Sequence, residues 1–157
     1  MKIIFLDFDG PIIPEQSHTT HRPMAKKAWP DCVAALNRIT DTTGAKIVVS
    51  SSWRSDGLTK LRKLLKDWGV TGTVVGVTPF LFTKAESIWG TATRGSEIAD
   101  YLKHQKDVEA FVIIDDDNDM DDFEPFLIQT PFDIGLTEED ADRAIDMLTR
   151  KQTVRLA

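Results

Sequence analysis

Two aspartates one residue apart, Asp7 and Asp9, close an apolar run in the segment Lys2-Ile3-Ile4-Phe5-Leu6-Asp7-Phe8-Asp9-Gly10. A continuous apolar run reads as a strand buried on both faces of a sheet. Open α/β sheets hold their ligands beyond the carboxyl ends of such strands. Gly10 and Pro11 stop the strand at once, so Asp9 falls on a turn where it can aim at the same point as Asp7. Two like charges converging on one spot are costly unless a cation or a shared proton relieves them. A solvated Asp-x-Asp-Gly turn is the alternative reading of this segment taken alone.

A second acidic cluster argues against that alternative. Phe111-Val112-Ile113-Ile114 runs into Asp115-Asp116-Asp117-Asn118-Asp119, followed by Asp121 and Asp122. In a parallel sheet both strand ends lie on one edge, so the two clusters can meet. Oxygen ligands without His or Cys suit a hard cation, Mg²⁺ in preference to Zn²⁺. An EF-hand would need glycine where Met120 stands and a closing Glu where Phe126 stands. Asp121 and Asp122 read as an exposed acidic turn. A third apolar run, Ala45-Lys46-Ile47-Val48-Val49, ends in Ser50-Ser51-Ser52-Trp53-Arg54. Hydroxyls and amides at such a strand end suit a phosphate. Ser52 to Asp56 equally reads as the N-cap region of a following helix.

Asp7-Phe8-Asp9-Gly10, a serine after an apolar strand, a basic residue before a helix, and Asp115-Asp116 after another strand resemble the four motifs of the haloacid dehalogenase (HAD) phosphohydrolases. The match runs in the correct order from residue 3 to about residue 135. The Ser-Ser-Ser-Trp-Arg run, the Arg94-Gly95-Ser96-Glu97-Ile98 helix start and the Ile-Ile-Asp-Asp-Asp string are more specifically similar to small HAD domains associated with nucleic-acid (RNA) repair proteins. This resemblance implies Asp7 as the nucleophile that becomes an aspartyl phosphate. It implies Asp9 as the general acid and base, and Ser50 as the hydroxyl on the phosphoryl group, with Ser51 as the fallback. Asp115 and Asp116 would bind Mg²⁺ together with Asp7 and the backbone carbonyl of Asp9. Arg94 is the expected basic residue of the third motif and Lys84 its alternative. Ser51 and Arg54 are further candidates for phosphate contact. Pro11 departs from the usual Thr or Val of the family and removes an amide donor near the phosphate.

These groups need a scaffold that brings four strand ends to one edge. The periodicities predict strand 2–8, a loop 10–23, helix 24–43 ended by Gly44, strand 45–50 and helix 56–68. Strand 73–77, a Pro-, Gly- and Thr-containing stretch 78–93, helix 95–105, strand 110–115, strand 126–129 and helix 138–148 capped by Thr137 follow. Alternating strands and helices make a doubly wound, Rossmann-like α/β fold, a parallel sheet of about five strands with helices on both faces. The resemblance adds that the gaps between motifs leave no room for a separate cap domain. An open cleft is expected, closed at most by residues 11–23 and 78–93. His18, His21 and Arg22 in the first loop are candidates to grip substrate. Trp53, Phe80, Phe82 and Trp89 are candidates to stack a base.

At 157 residues the chain suits one domain with one good core, spanning 1–157. No apolar run of membrane-spanning length occurs, and the N-terminus enters a strand without a secretory leader. Cys32 stands alone, which excludes an internal disulfide and suits a reducing, cytoplasmic interior. A formal charge of −6 leaves no footprint for non-specific nucleic-acid binding, although a local basic face stays compatible. No obligate protein partner is evident.

The expected function is therefore a Mg²⁺-dependent phosphomonoesterase acting on a nucleotide or a phosphorylated nucleic-acid end. A phosphoprotein or small phosphometabolite is the alternative substrate, and an inactive phosphate-binding or regulatory module the alternative class. A two-component receiver would carry its acid pair on the first strand and its phosphoacceptor on a middle one, which is not the order here. Retention of Asp9 argues against a dead domain, and the acids at 115–116 have no use in carbon–halogen displacement.

Overall fold

The computed structural model describes residues 1–20, 27–81 and 92–152, with the side chains of 18–20 outside that description. His18, His21, Arg22, Phe82, Lys84 and Trp89 therefore lie, wholly or by their side chains, outside the described residues. Five strands, β1 (Lys2–Leu6), β2 (Lys46–Val49), β3 (Val74–Val77), β4 (Ala110–Asp115) and β5 (Leu127–Gln129), form one sheet in the order β3-β2-β1-β4-β5. Every pairing is parallel. The helices are α1 (Glu15–Thr20), α2 (Pro30–Thr43), α3 (Leu58–Asp67), α4 (Arg94–Lys103) and α5 (Glu138–Thr149), with 3-10 turns at Ser52–Asp56 and Asp121–Phe126.

Handedness explains the layering. From β1 to β3 the chain moves outward in one direction, so right-handed crossovers put α2 and α3 on the same face. The return to β4 reverses that direction and puts α4 on the other face. The two cores follow this division. Ile4, Leu6, Ile47, Val49, Val112 and Ile114 face α2, α3 and α5, whereas Ile3, Phe5, Val48, Phe111 and Ile113 face α4 and the 121–126 turn. Among the described residues no helix is long and apolar enough to cross a membrane.

Several element boundaries differ from expectation, each for a local reason. β1 ends at Leu6, not Phe8, because the Phe8 carbonyl accepts from the amides of Ile12 and Ile13 and reverses the chain. Phe8 stays buried after the reversal, against Trp53 and Trp68, so its apolarity could not mark the strand's end. The expected loop 10–23 contains α1. The helix expected from residue 24 begins at Pro30, and Lys27 to Trp29 are not helical. Proline at the first helical position needs no N–H partner and disfavours helix in the residue before it. Gly57, at φ +86°, separates the 52–56 turn from α3 inside the helix expected at 56–68. Thr137 caps α5 as expected, in a reciprocal capping box with Asp140.

Candidate active site

Register brings the candidate groups together before any side chain is considered. Phe5 of β1 pairs with Val48 of β2 and with Ile113 of β4, and all three point to the α4 face. Two residues further on, the period of a strand turns Asp7, Ser50 and Asp115 to that same side. Asp7 keeps its amide on the Ile114 carbonyl at 3.0 Å, and Ser50 keeps its own on Leu6 at 3.0 Å. The chain moves outward on one side of β1 and returns on the other, so this edge is the switch point where ligands of open sheets sit.

Oxygens of Asp7, Asp115 and Asp116 all lie within 4.8 Å of one another. The Asp115 side chain is fully buried and its Oδ2 has no hydrogen-bond partner, although Arg94 Nε lies 3.3 Å away. Arg94 Nη2 is 3.9 Å from Asp7 Oδ1, so one guanidinium faces two of the three acids. Burial holds the Asp7 carboxyl above its ordinary value, against the opposing pull of Arg94 and the Ser51 side chain. Burial and the Asp7 charge push Asp115 up to about 7 and Asp116 to about 6. Carboxyls this crowded want protons or a cation.

The sign of that pressure gives a prediction. A carboxyl whose folded value is raised binds more protons folded than unfolded, so its contribution to stability is lost as pH rises from about 4 through about 7. Without divalent cation the protein should be more stable at about pH 5 than at about pH 8, by on the order of a few kcal/mol. Denaturant midpoints at the two pH values measure this. Added Mg²⁺ should reduce the difference, and a midpoint that rises steadily to pH 8 without metal would contradict it.

Asp9 contributes no carboxylate oxygen to the three-acid group; its Oδ2 accepts from the Trp53 indole N–H at 2.8 Å. Trp53 is in turn fixed by ring contacts to Phe8 and Trp68. The Ser51 oxygen accepts from the Trp53 amide at 3.4 Å, capping the 52–56 turn, and its side chain is one of the groups that oppose the rise of the Asp7 carboxyl. The Ser50 hydroxyl is buried without a partner. Pro11 sits in a tight turn in which the Gly10 amide is already taken by the Ile13 carbonyl at 3.0 Å.

Arg54, a candidate for phosphate contact, lies instead in an internal ion pair. Its Nη2 is 2.5 Å from Glu97 Oε2, and its Nη1 donates to the carbonyls of Ser50 and Ser51 at 2.7 and 3.0 Å. Glu97 Oε2 is also 4.0 Å from Arg94 Nη1. Glu97 has no role that its sequence position suggests, since a Glu in the first turn of a helix reads as a dipole partner, and Trp53, a candidate to stack a base, instead donates to Asp9. Nothing in the local pattern signals that their partners are remote in the chain.

The start of α4 is latched to the acidic loop. Asp119 Oδ2 accepts from the Arg94 amide at 3.0 Å, its carbonyl from the Gly95 amide at 3.0 Å, and Asp121 takes the Thr93 hydroxyl. Asp121 is exposed on a turn, as expected, and takes this bond as well. A Cβ on Gly95 would stand 2.2 Å from the Met120 carbonyl oxygen, which only a backbone shift can relieve. Gly95→Ala should therefore cost about 1–3 kcal/mol of stability and lower activity by parting Arg94 from Asp115. An unchanged denaturant midpoint would show that the latch is looser than its geometry. At Gly10, φ +100° and an Asp116 Cγ only 2.7 Å from a built Cβ impose a similar demand on the first loop.

Residues 3–141 match the family model described as the HAD domain in Swiss Army Knife RNA repair proteins. No curated protein and no solved structure matches the chain significantly.

Proposed function

The chain belongs to the family of HAD domains in Swiss Army Knife RNA repair proteins, and from that premise we propose that it is a Mg²⁺-dependent phosphomonoesterase acting on a nucleotide or a phosphorylated nucleic-acid end. Membership supports a HAD-type phosphohydrolase as the reaction class. The association of the family with RNA repair favours a nucleic-acid end over a phosphoprotein or small phosphometabolite. The observation that carries the reading is the convergence of Asp7, Asp115 and Asp116 within 4.8 Å, facing Arg94.

The donor set fits a hard divalent cation, being all oxygen, with one buried carboxylate oxygen lacking a hydrogen bond. Asp7, Asp115 and Asp116 would hold it, with the Asp9 backbone carbonyl as a further proposed ligand. Bound Mg²⁺ neutralises charge, so that a carboxylate can approach a phosphate dianion. In the proposed reaction Asp7 forms a bond to phosphorus as the leaving oxygen's bond breaks, and Asp9 gives that oxygen a proton. Asp9 then takes a proton from water as the water oxygen attacks phosphorus, releasing inorganic phosphate and the Asp7 carboxylate. Trp53 holds the Asp9 carboxylate in one orientation for both transfers.

Arg94 balances charge on the acids and on the transferred group. The Ser50 hydroxyl, buried without a partner, is the candidate to follow the phosphoryl oxygen, with Ser51 as the other. Arg54 holds the serine carbonyls and Glu97 in position and is not assigned a phosphate contact. His18, His21 and Arg22 remain proposed substrate contacts from the first loop. Residues 1–157 are read as one catalytic unit working in a reducing cytoplasm.

Phosphate release should be measured with Mg²⁺ on 3′- and 5′-phosphorylated oligonucleotides, mononucleotides, sugar phosphates and phosphopeptides. The expected result is highest kcat/KM on a nucleotide or oligonucleotide end. Phosphate binding without release on every substrate would favour a regulatory module.

A further inference from the structure

We propose that Phe80 is a stacking platform for the nucleobase next to the scissile phosphate. The inference rests on the phosphatase reading above for where the phosphate lies. It starts from an unusual exposure: Phe80 is 46% exposed, on the segment that leaves β3 at the ligand-holding edge of the sheet. The other large exposed apolar residues among the described ones, Phe132 and Ile134, sit on a turn beside α2, where the Ile134 carbonyl lies 3.7 Å from Cys32 Sγ.

The backbone on either side of Phe80 is tied down. The Pro79 carbonyl accepts from Arg54 Nη2 at 3.4 Å, and the Leu81 amide donates to Glu97 Oε1 at 3.3 Å. Arg54 and Glu97 are each 6% exposed and form an ion pair with one another. Residues 79 and 81 are thus fastened to the two halves of a single buried pair, and residue 80 projects between them. One face of the ring lies over the Arg54 guanidinium, whose Cζ is 3.7 Å from the ring centroid. A cation under the ring holds its orientation, so the exposed aromatic surface is pre-set before any ligand arrives.

The same ion pair leads directly to the proposed chemistry. Glu97 lies 4.0 Å from Arg94, which lies 3.9 Å from Asp7. The ring and the nucleophile are therefore joined by one contiguous set of contacts, on the same edge of the sheet. A flat, weakly hydrated π-face is what a rigid exposed ring offers a partner, and every nucleobase has one. A sugar phosphate has no such face. Of the described aromatic candidates, Trp53 holds Asp9, and Phe80 meets substrate on its outer face.

The test compares a phosphorylated dinucleotide with the same compound carrying an abasic sugar beside the phosphate, for the wild type, Phe80→Ala and Phe80→Trp. Phe80→Ala should raise KM for the base-bearing substrate about five- to a hundredfold, with kcat retained. The abasic substrate should be unaffected, and Phe80→Trp should restore the low KM. Equal loss on both substrates, or no loss on either, would overturn the platform. Equilibrium binding of a nucleoside monophosphate and its abasic counterpart in Mg²⁺ gives a readout without turnover. If no phosphate ester is hydrolysed, the phosphatase reading fails; tighter nucleotide binding that Phe80→Ala abolishes would still uphold the platform. Equal binding of the two ligands by the wild type would overturn it.

Discussion

Asp7→Asn should reduce phosphate release by roughly 10⁴-fold or more while leaving the fold intact. The carboxylate oxygen that would bond phosphorus is replaced by an amide of nearly the same shape, so packing at the end of β1 is preserved. Removing one of three crowded charges should also relieve Asp115 and Asp116, whose carboxyls are held high partly by the Asp7 charge. The melting temperature of the metal-free variant at about pH 8 should therefore be no lower than that of the wild type. Calorimetry and a phosphate-release assay test the two halves separately. Wild-type turnover in Asp7→Asn, with contaminating phosphatase excluded, would remove the nucleophile assignment.

Withdrawal of divalent cation should have an effect of similar size. With chelator present, three carboxylates would confront an incoming phosphate dianion, with Arg94 the cation in ion-pair range of them among the described residues. At an effective dielectric constant of about 20 each close like-charge contact costs on the order of a few kcal/mol, so hydrolysis should fall to background. Mg²⁺ should restore it and raise the melting temperature. Excess Ca²⁺ should inhibit, because it prefers longer bonds and more ligands. Activity undiminished by chelator would show that the acidic cluster serves another purpose.

The sheet was legible in the sequence because parallel strands buried on both faces leave long apolar runs, and each of the first, second and fourth strands ends in a polar group. Helix starts were less legible. The apolar spacing of α2 extends N-terminal to Pro30, and the non-helical Lys27–Trp29 segment is held by a remote bond from the Trp29 amide to the Ile12 carbonyl. The reversal at Phe8 was hidden for a related reason, since a buried phenylalanine looks the same on a strand and on a turn packed beneath it.

Of the candidate site, the residue types and their order along the chain were open to reading from sequence alone. Asp7, Ser50 and Asp115 follow apolar strands, and period-two alternation fixes their common direction once the register is known. Tertiary structure decided what each polar group pairs with. Arg54 and Arg94 are both arginines beside short helical starts, yet one is spent on Glu97 and backbone carbonyls while the other faces the acids. Ser50 and Ser51 are adjacent and chemically alike, yet the Ser50 hydroxyl is buried without a partner while the Ser51 oxygen accepts from the Trp53 amide. Local sequence dictates which groups a strand end carries, because backbone periodicity is a property of a few consecutive residues. Pairing depends on which remote segments pack together, and in this chain Asp9 with Trp53, Arg54 with Glu97 and Arg94 with Asp119 are joined only by the closing of the sheet.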